Sequence, residues 1–537
     1  MRARWTWRVL FAAIALVYLY FIPYYPALNN PNENSRVYQI RAAVELHKLS
    51  VNEQLATRGW VNDLGMRDGK YYAGKAPGTT FIGIPIHAAL RSYERWRGHT
   101  QVSDFRLLYA LRLAGTLLPT LLFVAWFRAF IRRVVDDDHI ANALTIMLAL
   151  GSMLLSYALI YVNHSLTAAC AFGTVMATEA AVRARQRVGM NRIPTRAWAW
   201  LFLAGFLLSM NAALDYAMFP VSVLLLVWVP IRFGWRFSSI VALCAGASLP
   251  AIWTGVYHTI CWGGPFKLSV SHLANPQFAT IHSQGVFGIV GPSKQVFYEM
   301  LFGSAKGLLF LSPVFAFALL STLHAVIASH RRKQAVLCLL VVWWMLLYNC
   351  SLANWDGGWT VGPRYMTVMV PFAIYSLALS WSAMGRAARQ WLLPLVVGAG
   401  MLSVLVMAGT SVLFPHLPPG FSNPVYQLMW PLWRDGIVPY NLGSRFLHLT
   451  GRAAQLPMLI AAGLLLAYLV RVASGWRITH ARWLAALASA IVAIALIAGG
   501  LKLGTLAASE SAEQVSAGNV WLRTAAWYPP VPASQPR

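Results

Sequence analysis

The sequence predicts an all-α polytopic membrane protein of about 13 transmembrane helices, and three observations predict it. Of 537 residues, 58% are hydrophobic and only 11% are charged. Apolar stretches near bilayer-crossing length recur from end to end. The charges that remain, 43 Lys and Arg against 17 Asp and Glu, gather in short runs between those stretches. So few charges cannot coat a water-soluble globule, which excludes soluble enzyme classes. A nucleic-acid reading of the +26 net charge needs a basic domain outside the bilayer, and the sequence has none. Arginine-rich cytoplasmic loops account for the excess.

A helix needs roughly 20 apolar residues to cross the hydrocarbon. Taken in order, the spans fall near 6–26, 106–130, 140–160, 165–183, 197–214, 217–232, 237–260, 307–328, 334–350, 365–384, 391–414, 453–471 and 481–503. The first run ends in Tyr24, Tyr25 and Pro26 without a small-residue cleavage site, so it reads as a retained helix rather than a signal peptide. With the amino terminus in the cytoplasm, every inside loop is basic, from Arg2, Arg4 and Arg8 through Arg331, Arg332 and Lys333 to Arg471, Arg477 and Arg482. The short outside connections at 161–165 and 211–216 carry no Lys or Arg.

Residues 1–260 form an amino-terminal module that holds a first outer loop, 27–105. Residues 261–505 supply the later helices and the outer segments 261–306, 351–364 and 415–452. The tail 506–537 falls outside, its Trp521, Trp527 and Tyr528 suited to the membrane interface. Two short helices are expected in the first outer loop. One is 37–49, apolar at Val37, Ile40, Ala43, Val44 and Leu49 and polar at Arg41, Glu45 and Lys48. The other, 79–90, is too short to span, and making it a span would turn every later basic loop outward. The cysteines, Cys170, Cys244, Cys261, Cys338 and Cys350, sit in apolar segments without metal-ligand spacing.

The large outer segments place the chemistry outside, where three polar clusters stand out. The first, Asn29 to Arg36, holds Glu33 among amides, with Ser35 or Asn34 as the cap of a helix beginning at Val37. Glu33 reads either as part of a cap and surface ion pair or as a general base or metal ligand at the lipid boundary. The second, Asp68 to Gly78, sets Lys75 beside Gly and Pro, where an ammonium meets lipid phosphate or simply snorkels. The third, Asn349 to Arg364, combines glycines, the faces of Trp355 and Trp359 for sugar rings or the interface, Asp356, and Arg364 to fork onto phosphate. On the same side lie His164, Asp215, Tyr216, His272, His282 and Lys306. No P-loop, GxGxxG, GxSxG or HExxH pattern occurs.

A carboxylate directly after the first helix, surface helices flanking Lys75-Ala76-Pro77, the His164 loop, and the stretches Gly285–Pro313 and Trp355–Tyr365 together resemble a bacterial branch of the type C (GT-C) glycosyltransferase superfamily. The resemblance implies a bacterial inner-membrane enzyme that takes a polyprenyl-phosphate-linked sugar to a glycan, lipid or protein acceptor. In it Glu33 would be the base. Lys75, Arg364, Lys306 and Arg36 would hold the donor phosphate, His164, Asp215 and Tyr216 would shape the pocket, and Trp355, Asp356 and Trp359 would meet the sugar. Protein mannosyltransferases carry an Asp-Glu pair where this chain has Asn32-Glu33, which leaves the protein acceptor and a need for a divalent cation, magnesium or manganese, open. Two rivals remain. An O-antigen ligase or polymerase would use a diphosphate-linked donor with His272, His282, Arg434 and Arg445. A lipid-linked-sugar transporter or flippase would show discontinuous helices with binding groups at the midplane.

Overall fold

The computed structural model describes residues 2–21, 30–188, 193–358, 360–413, 415, 421–436 and 438–474. Among them, nine helices are long and apolar enough to cross a membrane: Asp104–Val135, His164–Gln186, Thr195–Leu214, Tyr216–Phe233, Phe237–Trp262, Arg332–Cys350, Arg364–Ala383, Arg386–Leu413 and Gly451–Ser474. Thr6–Leu19, Asp138–Leu150 and Val314–Ala328 are shorter apolar helices. The span expected at 140–160 breaks at Gly151–Met153 before a short helix, Leu154–Ala158. The expected span 481–503 and the tail 506–537 lie outside the described residues.

Helix Phe237–Trp262 shows what solvent surrounds the bundle. Only 28% of its most apolar window is buried, and Ile252, Trp253, Val256 and Ile260 face outward. Its inner side meets Thr195–Leu214 at a crossing that admits no side chain. A Cβ on Gly205 would lie 1.9 Å from the Leu243 carbonyl oxygen, and one on Gly246 1.9 Å from that of Phe202. Small residues that let two backbones touch are how helices associate where lipid is as apolar as the side chains.

The two ends of the bundle differ in charge. At one end Glu179 accepts two bonds from Arg232, at 2.6 and 2.9 Å, and one from Gln334 at 2.8 Å. That joins the basic ends of His164–Gln186, Tyr216–Phe233 and Arg332–Cys350. Their opposite ends carry His164, Tyr216 and Cys350, so the outer clusters share the other end.

There the first outer loop departs from expectation. Its first helix runs Pro31–Glu45, beginning at Pro31 because the Asn30 side chain caps the Asn32 amide at 2.8 Å, so neither Ser35 nor Asn34 is the cap. Proline at the first helical position loses no bond there. Nor is its polar side solvated. Arg41 is buried between Glu45 and Asp104, and His87 on the second helix, Gly78–Trp96, meets the same Glu45 at 2.9 Å. Between these helices lie a short helix, Asn52–Arg58, and an antiparallel hairpin, Leu64–Arg67 with Lys70–Ala73. Asp68 and Gly69 turn it at φ of 50° and 71°, the left-handed pair that a two-residue hairpin turn requires.

Candidate functional site

A cavity of about 350 Å³ opens at the end of the bundle that carries His164 and Tyr216. Asn32 and Arg36, one turn apart on the first outer helix, form one wall. Lys75 follows the hairpin, Asn163 and His164 begin a span, Asp215 and Tyr216 fill the turn between two spans, and Arg364 and Tyr365 begin another. Gly78 brings Lys75 close: a Cβ there would stand 2.7 Å from the Ala213 oxygen and the Leu214 nitrogen, backbone directly before Asp215.

The polar groups are chained. Arg36 donates to the Asn32 carbonyl at 3.0 Å and to Asn163 Oδ1 at 2.9 Å, and Asn163 Nδ2 donates to Asp215 Oδ2 at 2.8 Å. Asp215 also accepts from the Ala217 amide at 3.1 Å. Burial raises the Asp215 carboxyl above its ordinary value, against the pull of that amide, Asn163, Arg364 and Arg36. Burial lowers the Arg36 guanidinium to about 10, which leaves it charged at neutral pH. Lys75 Nζ stands 3.0 Å from Asp63 Oδ1. Arg364 donates to the Tyr365 hydroxyl at 2.9 Å, while its buried Nε has no partner among the described residues.

Tyr216 has a fixed polarity. His258 Nδ1 lies 3.0 Å from the Pro265 carbonyl oxygen, which only accepts, so that nitrogen carries the proton. Nε2 is then the acceptor, the Tyr216 hydroxyl donates to it at 2.7 Å, and the phenol oxygen keeps its lone pairs for other partners.

Other expected residues lie elsewhere. Glu33 sits in the first helical turn, fully buried, and does not line the cavity. Arg112 grips it with Nε to Oε1 at 2.7 Å and Nη2 to Oε2 at 2.8 Å, and the Tyr161 amide donates to Oε1 at 2.8 Å. That is a clamp between the first outer helix and the span Asp104–Val135, not a carboxylate at the lipid boundary. Lys306 likewise does not reach the cavity. Its ammonium bonds the carbonyls of Asp356, at 2.7 Å, and Gly358, with Asp356 Oδ2 at 3.4 Å, so it holds the 355–358 turn rather than presenting free donors to phosphate. Gly357 lets that turn fold onto Arg364, since a Cβ would meet Arg364 Nε at 2.8 Å. Trp355 lines a neighbouring cavity, and Trp359 lies outside the described residues. Of the residues a ligase reading drew on, His282 lines the main cavity, and His272, Arg434 and Arg445 do not.

Sequence reasoning missed Asn32, Asp63, Arg112, Asn163 and Tyr365. Asn32 had a usable signal: four residues before Arg36 on a helix, it lies about 40° from that residue around the axis, nearer than Glu33 at about 60°. Among the described residues, no three His, Cys, Asp or Glu side chains converge as a metal site. Glu33 is taken by Arg112 and Asp63 by Lys75. The donor set does not suit a divalent cation; positive charge at the cavity comes from Arg36, Lys75 and Arg364.

The site belongs to a polytopic helical membrane protein with a cationic cavity at one end of its bundle. No family model matches the chain, and no curated protein does. Among solved structures, it is similar to ArnT from Cupriavidus metallidurans bound to undecaprenyl phosphate, at 14% identity and a TM-score of 0.46, over 90% of this chain and 77% of that one. It is also similar to the apo oligosaccharyltransferase of Archaeoglobus fulgidus, at 12% identity and a TM-score of 0.44, over 80% of this chain. The match spans 58% of the archaeal protein's length. Likenesses this distant bear on neither site nor activity, which rest on the geometry.

Proposed function

We propose that the chain is an integral-membrane glycosyltransferase of the polyprenyl-phosphate type, moving a sugar from that donor to an acceptor hydroxyl on the extracytoplasmic face of a bacterial inner membrane, with its amino terminus in the cytoplasm. One observation carries the reading: Arg36, Lys75 and Arg364 line a cavity at the outer bundle end together with a single carboxylate, Asp215. A lipid phosphate is an anionic leaving group tethered at that depth. Fixed cations there stabilise the charge that develops as its bond to the anomeric carbon breaks.

The acceptor oxygen attacks the anomeric carbon as the carbon–oxygen bond to phosphate breaks, the electron pair leaves with the phosphate, and the anomeric centre inverts. Asp215 takes the acceptor's proton. Its raised pKa makes it a stronger base than an ordinary aspartate, and it lines the space where the acceptor must stand. Glu33 suits that role less, because both its oxygens already accept charge-assisted bonds. In this reading it positions the first outer helix so that Asn32 and Arg36 face the donor. A monophosphate fits better than a diphosphate, since His282 adds no charge at neutral pH: burial lowers its imidazole below the usual range. Binding groups at the bundle's outer end, rather than at its midplane, argue against a transporter.

The test is undecaprenyl phosphate binding to the protein in nanodiscs, read by native mass spectrometry, with release of the carrier from radiolabelled polyprenyl-phosphate sugars. Lys75→Ala and Arg364→Ala should each weaken carrier binding tenfold or more, and Asp215→Asn should abolish turnover while sparing binding. Carrier binding that ignores both cation substitutions refutes the assignment.

A further inference from the structure

A second cavity, of about 390 Å³, lies beside the first, and Leu352 lines both. The wall between them is a backbone zipper: Val290 N donates to Ser351 O at 2.8 Å, Ser293 N to Cys350 O at 3.0 Å, and Ala353 N to Gly288 O at 2.9 Å, around a bridge between Ile289 and Leu352. Those amides and carbonyls are spent on each other. What the second cavity presents is side chains: the indole of Trp355, the carboxylate of Glu299 and the amide of Gln295. Among the described residues none of these three has a side-chain hydrogen-bond partner, although Trp355 packs part of its ring against the hydrophobic core.

A fixed aromatic surface beside an unengaged carboxylate and an unengaged amide matches one ligand chemistry, the pyranose. Its axial C–H face lies on an aromatic ring while its hydroxyls donate to carboxylate and amide oxygens. A peptide binding by strand addition would need free main-chain edges, which the zipper removes. The turn that carries Trp355 also explains Lys306. By bonding the Asp356 and Gly358 carbonyls, that lysine holds the turn beside the indole, which lines the second cavity. Burial lowers the Lys306 ammonium, but Asp356 beside it favours the charged form that makes these bonds.

We propose that this second cavity is an acceptor subsite for a neutral saccharide, seated on Trp355 and hydrogen-bonded by Glu299 and Gln295. It deepens the transferase reading and rests on it: the acceptor sugar would reach over Leu352 toward Asp215, so the acceptor class is a glycan rather than a protein.

The experiment is ligand-observed saturation-transfer NMR on the full chain in nanodiscs, with trisaccharides of glucose, mannose and N-acetylglucosamine and a Ser/Thr-containing peptide as probes. At least one saccharide should bind. Its affinity should fall tenfold or more in Trp355→Ala and severalfold in Glu299→Gln, recover partly in Trp355→Phe, and hold in Lys75→Ala. Retained undecaprenyl phosphate binding by the Trp355 and Glu299 variants shows that they are folded. If no saccharide binds, if Trp355→Ala and Glu299→Gln bind as the wild type does, or if only the peptide binds, the subsite is wrong. The transferase reading fails on a different readout, carrier binding that Lys75→Ala does not touch.

Discussion

The clamp between Glu33 and Arg112 makes the sharpest quantitative test. Both side chains are sealed from solvent, at 0% and 1% exposure, and the fork closes at 2.7 and 2.8 Å. Replacing Arg112 with Met leaves a carboxylate inside the protein with the Tyr161 amide but without its counter-charge. Stranding one member of a buried pair costs about 3–5 kcal/mol, whereas replacing both with apolar residues of similar volume is close to neutral. Arg112→Met and Glu33→Leu should therefore each destabilise by about that amount, and the double variant should regain most of it, a coupling of about 5 kcal/mol or more. Reversible denaturation in mixed micelles, followed by helical circular dichroism, measures all four corners of the cycle. Additivity within about 0.5 kcal/mol would refute the claim that the pair acts as a unit. The same cycle separates roles. A positioning residue loses turnover together with Arg36-dependent carrier binding, while Glu33→Gln with intact binding and stability but no turnover would return the base to Glu33.

Four further outcomes follow from the same geometry. Asp215→Asn should lower kcat by about 10²–10⁴, and the wild-type rate should fall as pH drops through the raised Asp215 value. Because that value lies above the unfolded one, the Asp215 contribution to stability is complete at low pH and is lost as pH rises through it, so Asp215→Asn should flatten this part of a stability–pH curve. Tyr216→Phe and His258→Phe should raise KM for the sugar-bearing donor by similar factors, because the 2.7 Å bond joins the two groups and the Pro265 carbonyl fixes its polarity; unequal effects in a kinetic comparison contradict the pairing. Gly205→Leu should destabilise the bundle by about 1–3 kcal/mol or more through overpacking, since its Cβ alone would sit 1.9 Å from a carbonyl oxygen; an unchanged melting temperature would rule out the close crossing.

The spans were legible because hydrocarbon imposes one rule, an apolar run of sufficient length. The outer face obeys no such rule. Lys75, Asp215, His164 and Arg364 were found because charge next to lipid needs a reason, and the structure brings all four to one cavity. Glu33 drew attention on the same ground, but what satisfies it is Arg112, 79 positions along the chain. No local pattern announces a partner at that separation. The hairpin was missed although Asp68-Gly69 is a turn signal, because its strands are four residues each and sit inside a helical protein. The bonds that hold Lys306 go to carbonyl oxygens, which are invisible to residue-type reasoning.

Arg112 itself lies in an unusual stretch. Residues Leu111–Leu117 wind as a π-helix between two α-helical segments of the span Asp104–Val135. A π turn stores one extra residue within otherwise regular winding. Excising a single position from 113–117 would let the turn close to regular α-helix with the flanking segments still in register, whereas inserting one residue into the α-helical winding after it would swing everything before the insertion by about 100° against everything after it. Every side chain of the cavity would survive such an edit, yet the guanidinium would aim at a different neighbour. Insertions and deletions of one amino acid in the regular winding of this span therefore disturb the clamp more than a deletion inside the π turn does.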